Sequence, residues 1–276
     1  MTTILYILGS TRSGTSALRN AIAGTRYKGF GEGHLVPILM DIIESVQTHS
    51  RSGLGADVPG NGLSSLKGDD LIRALFAGYE QYLSDFLKSP YIVDKTPTIT
   101  PIRATPDLAR YHGNAKFIHC SRRHIDNVQS KIKKFPDKPL ENHAREWSDC
   151  HDAWFEVKHI LEERGTGFLE INFHEMAADP SNAAKKIGRY LELSGEEISG
   201  IESYLQSQRP QATQDRDLNK FLKLSELRWS DLEKRRFVEI TSRVGSVLGY
   251  GLESYYQDQV TLARTAELSS PTATNG

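Results

Sequence analysis

The sequence predicts an α/β domain in which a central parallel sheet is flanked by helices on both faces. Three observations lead there. Short apolar segments at residues 3–9, 91–94, 115–122 and from 168 onward alternate with segments of helical period, which is the order of βα units rather than of hairpins. The first of them, Ile4-Leu5-Tyr6-Ile7-Leu8, is an uninterrupted apolar run, as expected of a strand buried on both faces. The 276 residues, 38% hydrophobic, suit one large α/β unit.

Each element has its own signal. Strand 3–9 breaks at Gly9 and a helix follows over 14–24. A short strand lies near Lys28 to Gly31, then a helix from about 34 to 48. Residues 47–69 carry Gly53, Gly55, Pro59-Gly60, Gly62 and Gly68 without periodicity, and are predicted to be a mobile loop or insertion. Leu71, Leu75, Tyr79, Tyr82 and Phe86 form the stripe of a helix over 70–88. Strand Tyr91 to Asp94 meets Lys95-Thr96-Pro97, and Thr105-Pro106 reads as a capped helix start. After the strand ending at Arg122 comes a helix over His124 to Phe135.

Residues 140–164 place His143, Trp147, Cys150, His151, Trp154 and Leu161 at helical spacing. That is a packed helix face, and no H-E-x-x-H or C-x-x-C pattern accompanies it, so no metal is expected. Asp179 as N-cap and Pro180 at the first helical position start the next helix, through Ile187, Tyr190, Leu191 and Leu193. One domain over 1–262 is expected, with a disordered tail over 263–276.

Charge and cysteine content narrow the function classes. A formal net charge of −1 argues against a general nucleic-acid or membrane-surface partner. Two cysteines, Cys120 and Cys150, make no disulfide framework. With no signal-peptide pattern and no run of eighteen apolar residues, a cytoplasmic protein without a membrane span is expected. Oligomeric state is not legible.

The chemistry concentrates at Gly9-Ser10-Thr11-Arg12-Ser13-Gly14-Thr15-Ser16, between a strand and a helix. Such a loop directs backbone N–H groups and a helix dipole at one point, where an anion binds. The common nucleotide-phosphate loop ends G-K-[ST], its Lys reaching the phosphates and its hydroxyl ligating Mg²⁺. Here Thr15 stands at the Lys position, and the cation is Arg12.

This loop resembles the 5′-phosphosulfate loop of sulfotransferases that use 3′-phosphoadenosine 5′-phosphosulfate (PAPS). The R-S-G-[ST]-[ST] form, as in tyrosylprotein, carbohydrate and many bacterial members, matches Arg12 to Ser16. Arg122 at a strand end and Ser130 eight residues on match that family's second phosphate motif. Phe168 to Pro180 is similar to its strand, Y-E-D-L, D-P and helix stretch, with Phe173 and His174 where Tyr and Glu are usual. Val244 to Leu252 resembles its closing L-G-Y segment.

The resemblance implies a P-loop NTPase-like three-layer fold and a donor site of Thr11, Arg12, Ser13, Gly14, Thr15, Ser16, Arg122 and Ser130, with PAPS as co-substrate. It implies Glu32, in Phe30-Gly31-Glu32-Gly33-His34, as the base that deprotonates a hydroxyl acceptor, with His34 as the alternative. Lys95 resembles the Lys of N-K-D-P in tyrosylprotein sulfotransferases, and with Arg12 would meet the transferring group. The acceptor that the resemblance implies is a carbohydrate, lipid-linked sugar, phenol or small metabolite, with its selection expected from residues 34–90 and 195–228. Two other classes stay open: an atypical P-loop nucleotide kinase or NTPase, with Asp94 as a Walker-B-like Mg²⁺ ligand, and a non-catalytic adenine-nucleotide-binding module.

Overall fold

The computed structural model describes residues 2–51, 66–207 and 221–257. Its elements run β1 (Thr3–Gly9), α1 (Thr15–Ala23), α2 (Val36–Arg51), α3 (Gly68–Leu87), β2 (Tyr91–Lys95), α4 (Ile99–Tyr111), β3 (Ala115–Ser121) and α5 (His124–Lys134). They continue with α6 (Leu140–Glu163), β4 (Leu169–Asn172), α7 (Phe173–Ala178), α8 (Pro180–Leu191), α9 (Gly195–Ser207) and α10 (Asp231–Val247).

The four strands form one parallel sheet in the order β2-β1-β3-β4. All seven residues of β1 are buried, and the strand's period of two divides its side chains between two cores. Ile4, Tyr6 and Leu8 pack with Leu39, Phe76, Leu108 and Trp154 beneath α2, α3, α4 and α6. Leu5 and Ile7 face Leu18, Ile22, Ile187 and Ile201 from α1, α8 and α9. A third cluster joins α5, α6 and α10 through Val128, Trp147, Phe237 and Tyr250. The expected α/β architecture is therefore present, with helices on both faces.

Several boundaries differ from the sequence reading. Lys28 to Gly31 makes only an isolated bridge, Lys28 to Ile92, along the edge of β2. Helix α2 runs to Arg51, so the segment expected to loop from Gln47 begins as helix, and Gly68 and Asp69 already belong to α3. The rest of that segment, 52–65, lies outside the described residues, as does the tail expected over 263–276.

Helix α4 starts at Ile99 rather than at Thr105-Pro106, and Pro106 sits inside it. Burial of Ile102, Ala104, Leu108 and Tyr111 outweighs the cost of an internal proline. The chain after β4 turns at once into α7, where the Asn172 side chain accepts from the His174 amide at 2.7 Å. Asp179 caps α8 by accepting from Asn182 N at 2.9 Å, as the sequence signal predicts.

The histidine-rich face of α6 is packing. His119 stacks flat on Trp154 at 4.4 Å between centroids, and His151 meets Trp147 edge-on. Among the described residues no group of three or more His, Cys, Asp or Glu is placed to hold a metal ion. Cys120 and Cys150 are buried and unpaired with each other. None of the described helices is long and apolar enough to cross a membrane.

Candidate active site

Parallel strands deliver their carboxyl ends to one rim, and the turns after β1, β2 and β3 meet there. Gly9 leaves β1 at φ 136°, where a Cβ would sit 2.4 Å from the Cys120 carbonyl. The loop then takes positive φ at Arg12 (71°) and Gly14 (90°). Gly14, the N-cap of α1, has no side chain to cap it, so among the described residues the first-turn N–H groups of that helix point toward the loop with no capping oxygen.

Neighbouring elements fix this loop. Asn127 of α5 donates through Nδ2 to the Thr11 carbonyl at 2.9 Å and to Ser13 Oγ at 3.0 Å. Thr11 Oγ1 donates to the Pro97 carbonyl at 2.9 Å, tying the loop to the chain after β2. Ser13 and Thr15 are buried; Ser13 Oγ faces α5, while Ser16 is exposed. Asn127 was not among the residues singled out from the sequence. It lies on the face of α5 that also carries Ser130 and Lys131, one turn on, and that spacing was its only signal.

Arg12 and Arg122 converge. Arg12 Nε donates to Ser130 Oγ at 3.1 Å, and Arg122 Nη1 donates to the Arg12 carbonyl at 3.2 Å. The nearby Asp126 pairs with Arg123 instead, at 2.7 Å. Among the described residues nothing accepts from the buried Arg122 Nε, an open donor of the kind an anion satisfies. Burial lowers the pKa of both guanidinium groups, which stay charged at neutral pH.

The departure at Phe173 has a structural consequence. Its ring lies 4.5 Å beneath the Arg122 guanidinium and against Gly14, where a Cβ would come within 2.4 Å of Phe173 Cδ2. The position holds Arg122 by a cation–π contact instead of supplying a hydroxyl. His174 stacks on Tyr255 at 4.1 Å. Arg123 is wholly buried and donates to the carbonyls of Leu222, Gly251 and Ser254, so it anchors the C-terminal segment.

On the β2 side, Lys95 Nζ donates to Glu32 Oε1 at 2.5 Å and to Ser16 Oγ at 3.3 Å. The Lys95 side chain is 2% exposed and that of Glu32 48%, so a buried cation bridges the loop helix and a carboxylate open to solvent. His34 Nε2 lies 3.1 Å from Glu32 Oε2. The hydrogen bond from Lys95, aided by His34 and opposed by partial burial, holds the Glu32 carboxyl below the usual carboxylate range. Arg19 of α1 donates to the carbonyls of Gly29 and Phe30, at 2.5 and 2.9 Å, fastening the preceding chain.

Asp94 points the other way. Strand alternation puts it on the sheet face opposite Lys95, beside Gly33, where its carboxylate accepts from Thr96 Oγ1 at 3.1 Å. Burial pushes its pKa up to about 6 from 3.8. A raised carboxyl pKa costs stability as pH climbs from about 4 through 6, and in full above that. Asp94→Asn is therefore expected to raise the melting temperature at pH 7.5, by the equivalent of about 1–3 kcal/mol. The gain should shrink toward zero at pH 4; a pH-independent difference in thermal denaturation would contradict this.

The sheet order, the loop before α1 and the two convergent arginines together make an arrangement suited to an anion. A model described as "Sulfotransferase family" matches residues 5–197. The chain belongs to the sulfotransferase family. Solved sulfotransferases share the fold at low identity. The sulfotransferase domain of the Synechococcus PCC 7002 olefin synthase superposes with a TM-score of 0.53 at 18% identity, over 88% of this chain and 96% of that one. Sulfotransferase STF9 from Mycobacterium avium gives 0.56 at 13%, over 92% and 78%. No curated protein matches by sequence. The family match carries the enzyme class, and the solved structures carry the P-loop-like fold.

Proposed function

We propose that this sulfotransferase moves a sulfuryl group from PAPS to a hydroxyl acceptor, with the donor's phosphates in the loop between β1 and α1. The observation that carries the reading is the pairing of Arg12 with Arg122 and Ser130 above an uncapped helix start. The 5′-phosphosulfate would take the loop N–H groups, Ser16 and Arg12. The 3′-phosphate would take Arg122 and Ser130.

The acceptor oxygen attacks sulfur in line while its proton passes to Glu32. The S–O bond to the departing 3′-phosphoadenosine 5′-phosphate breaks, and its electron pair stays on the bridging oxygen. Lys95 stabilises that charge. While Lys95 donates to Glu32 the carboxylate is a weak base. A sulfonate that draws the ammonium away restores its basicity, so chemistry follows donor binding. His34 is the alternative base, within reach of the same turn.

The acceptor is a carbohydrate, lipid-linked sugar, phenol or small metabolite. The exposed rings of Phe30, Phe86 and Tyr82 cluster at 6.0 and 6.3 Å centroid spacings, joining α3 to the chain two residues before Glu32. A Mg²⁺-dependent kinase reading loses support from the orientation of Asp94 away from the loop.

Two measurements test the donor assignment. The bisphosphate product should raise the melting temperature without Mg²⁺, the native state gaining about 2.7 kcal/mol at a hundredfold excess over Kd. Stabilisation by ATP with Mg²⁺ alone would overturn the assignment. Arg122→Ala should weaken the bisphosphate by about 2–4 kcal/mol, and adenosine 5′-phosphosulfate, lacking the 3′-phosphate, far less. Equal losses, measured by titration calorimetry, would remove Arg122 from the 3′-phosphate.

A further inference from the structure

The turn that carries Glu32 is built against the end of β2, and three independent contacts hold it. Gly33 lies so close to Asp94 that a Cβ would sit 2.4 Å from Oδ2, and its N–H donates to the Lys95 carbonyl at 3.3 Å. His34 follows in the left-handed region at φ 52°, a conformation that costs an L-residue energy unless something fixes it. What fixes it is Thr96: the His34 N–H donates to Thr96 Oγ1 at 2.9 Å, and that hydroxyl donates its one proton to Asp94 Oδ1 at 3.1 Å. Asp94 and Thr96 are 7% and 2% exposed, so the chain is shielded from water.

Proton counting sets the direction of this chain. Once the hydroxyl gives its hydrogen to a carboxylate, only its lone pairs face the His34 amide, so the hydroxyl must accept there. Asp94 thus orients Thr96, and Thr96 orients the turn. Lys95 lies between these two residues in sequence, with its side chain on the other face of the strand. The backbone that aims the ammonium at Glu32 is the same backbone that holds the turn presenting Glu32.

We propose that Thr96, oriented by Asp94, is a positioning residue for acceptor activation: it fixes the turn bearing Glu32 and His34 at the distance from Lys95 that transfer needs. The proposal rests on reading this turn as the source of the base. It concerns neither donor phosphates nor Arg122, which separates its consequences from those of a donor-site residue.

The test uses the full chain and PAPS with any hydroxyl acceptor that it sulfates. Thr96→Val keeps shape and volume but loses both hydrogen bonds. It should lower kcat by about 10- to 100-fold, because misplacement of about 1 Å carries a penalty of that order, while the bisphosphate Kd moves by less than about threefold. Thr96→Ser, which restores the hydroxyl, should recover most of the loss. In a Glu32→Gln background, Thr96→Val should add little further loss, since two residues acting through one group are not additive.

Normal turnover in Thr96→Val overturns the proposal whatever Glu32→Gln does. So does a full additional loss in the double variant when Glu32→Gln alone is impaired, or a parallel collapse of donor affinity. Normal turnover in Glu32→Gln beside a slow Thr96→Val overturns the choice of Glu32 as base instead. It leaves Thr96 holding His34, whose amide it contacts directly.

Discussion

Glu32→Gln is expected to lower kcat by about 10²- to 10⁴-fold, the range typical of a lost general base, with little change in bisphosphate affinity. Gln keeps the shape of the side chain and can still accept a hydrogen bond from Lys95 Nζ, 2.5 Å from Oε1 in the native pair. The variant therefore removes proton acceptance without dismantling the turn. Steady-state kinetics with the acceptor, beside calorimetry of bisphosphate binding, separates the two effects. The native pH profile should fall on the acid side as Glu32 protonates, and that limb should vanish in the variant. Near-normal turnover would transfer the role to His34, and His34→Ala would then decide whether any side chain of this turn accepts the proton.

What the sequence made legible follows from how local each signal is. The transition from the apolar run 3–9 through Gly9 and Gly14 to the helical spacing of α1 lies within about twenty residues, and the fold there matches it. Arg122 and Ser130, eight apart across a strand end and the following helix, were singled out through the family resemblance, and in the structure both meet Arg12. Asn127 was not singled out, because its partners, the Thr11 carbonyl and Ser13 Oγ, are 116 and 114 residues away. Thr96 was hidden for the same reason: its hydrogen bond to His34 spans 62 positions.

Local signals also misled where burial prevailed. Thr105-Pro106 looks like a helix start, yet the apolar face of α4 runs through it from Ile102 to Tyr111 and sets the boundary at Ile99. At Phe173 the loss of a hydroxyl stands as read, and what the sequence did not announce is the place of the ring. It lies against Gly14 and beneath Arg122, and a cation–π contact leaves no periodic trace in sequence.

Lys95→Ala is the second change expected to have a large effect, lowering kcat by about 10²- to 10³-fold through loss of charge stabilisation on the bridging oxygen. The ammonium is almost wholly buried, donates to Ser16 Oγ at 3.3 Å and to Glu32 Oε1, and so stands between the first turn of α1 and the Glu32 carboxylate. Its removal also frees Glu32 from the hydrogen bond that depresses its pKa, so the carboxylate becomes a stronger base in the variant. The acid limb of the pH profile should accordingly move to higher pH even as the rate falls. If Lys95 acts on the leaving group, a donor series with progressively better leaving groups, such as aryl sulfates where they are accepted, should restore Lys95→Ala in part. The dependence of rate on leaving-group pKa should be steeper than in the native enzyme. Glu32→Gln should keep the native slope, because its missing function lies on the acceptor. Parallel slopes for Lys95→Ala and the native enzyme would exclude Lys95 from the bridging oxygen and confine its part to orienting Glu32 and Ser16.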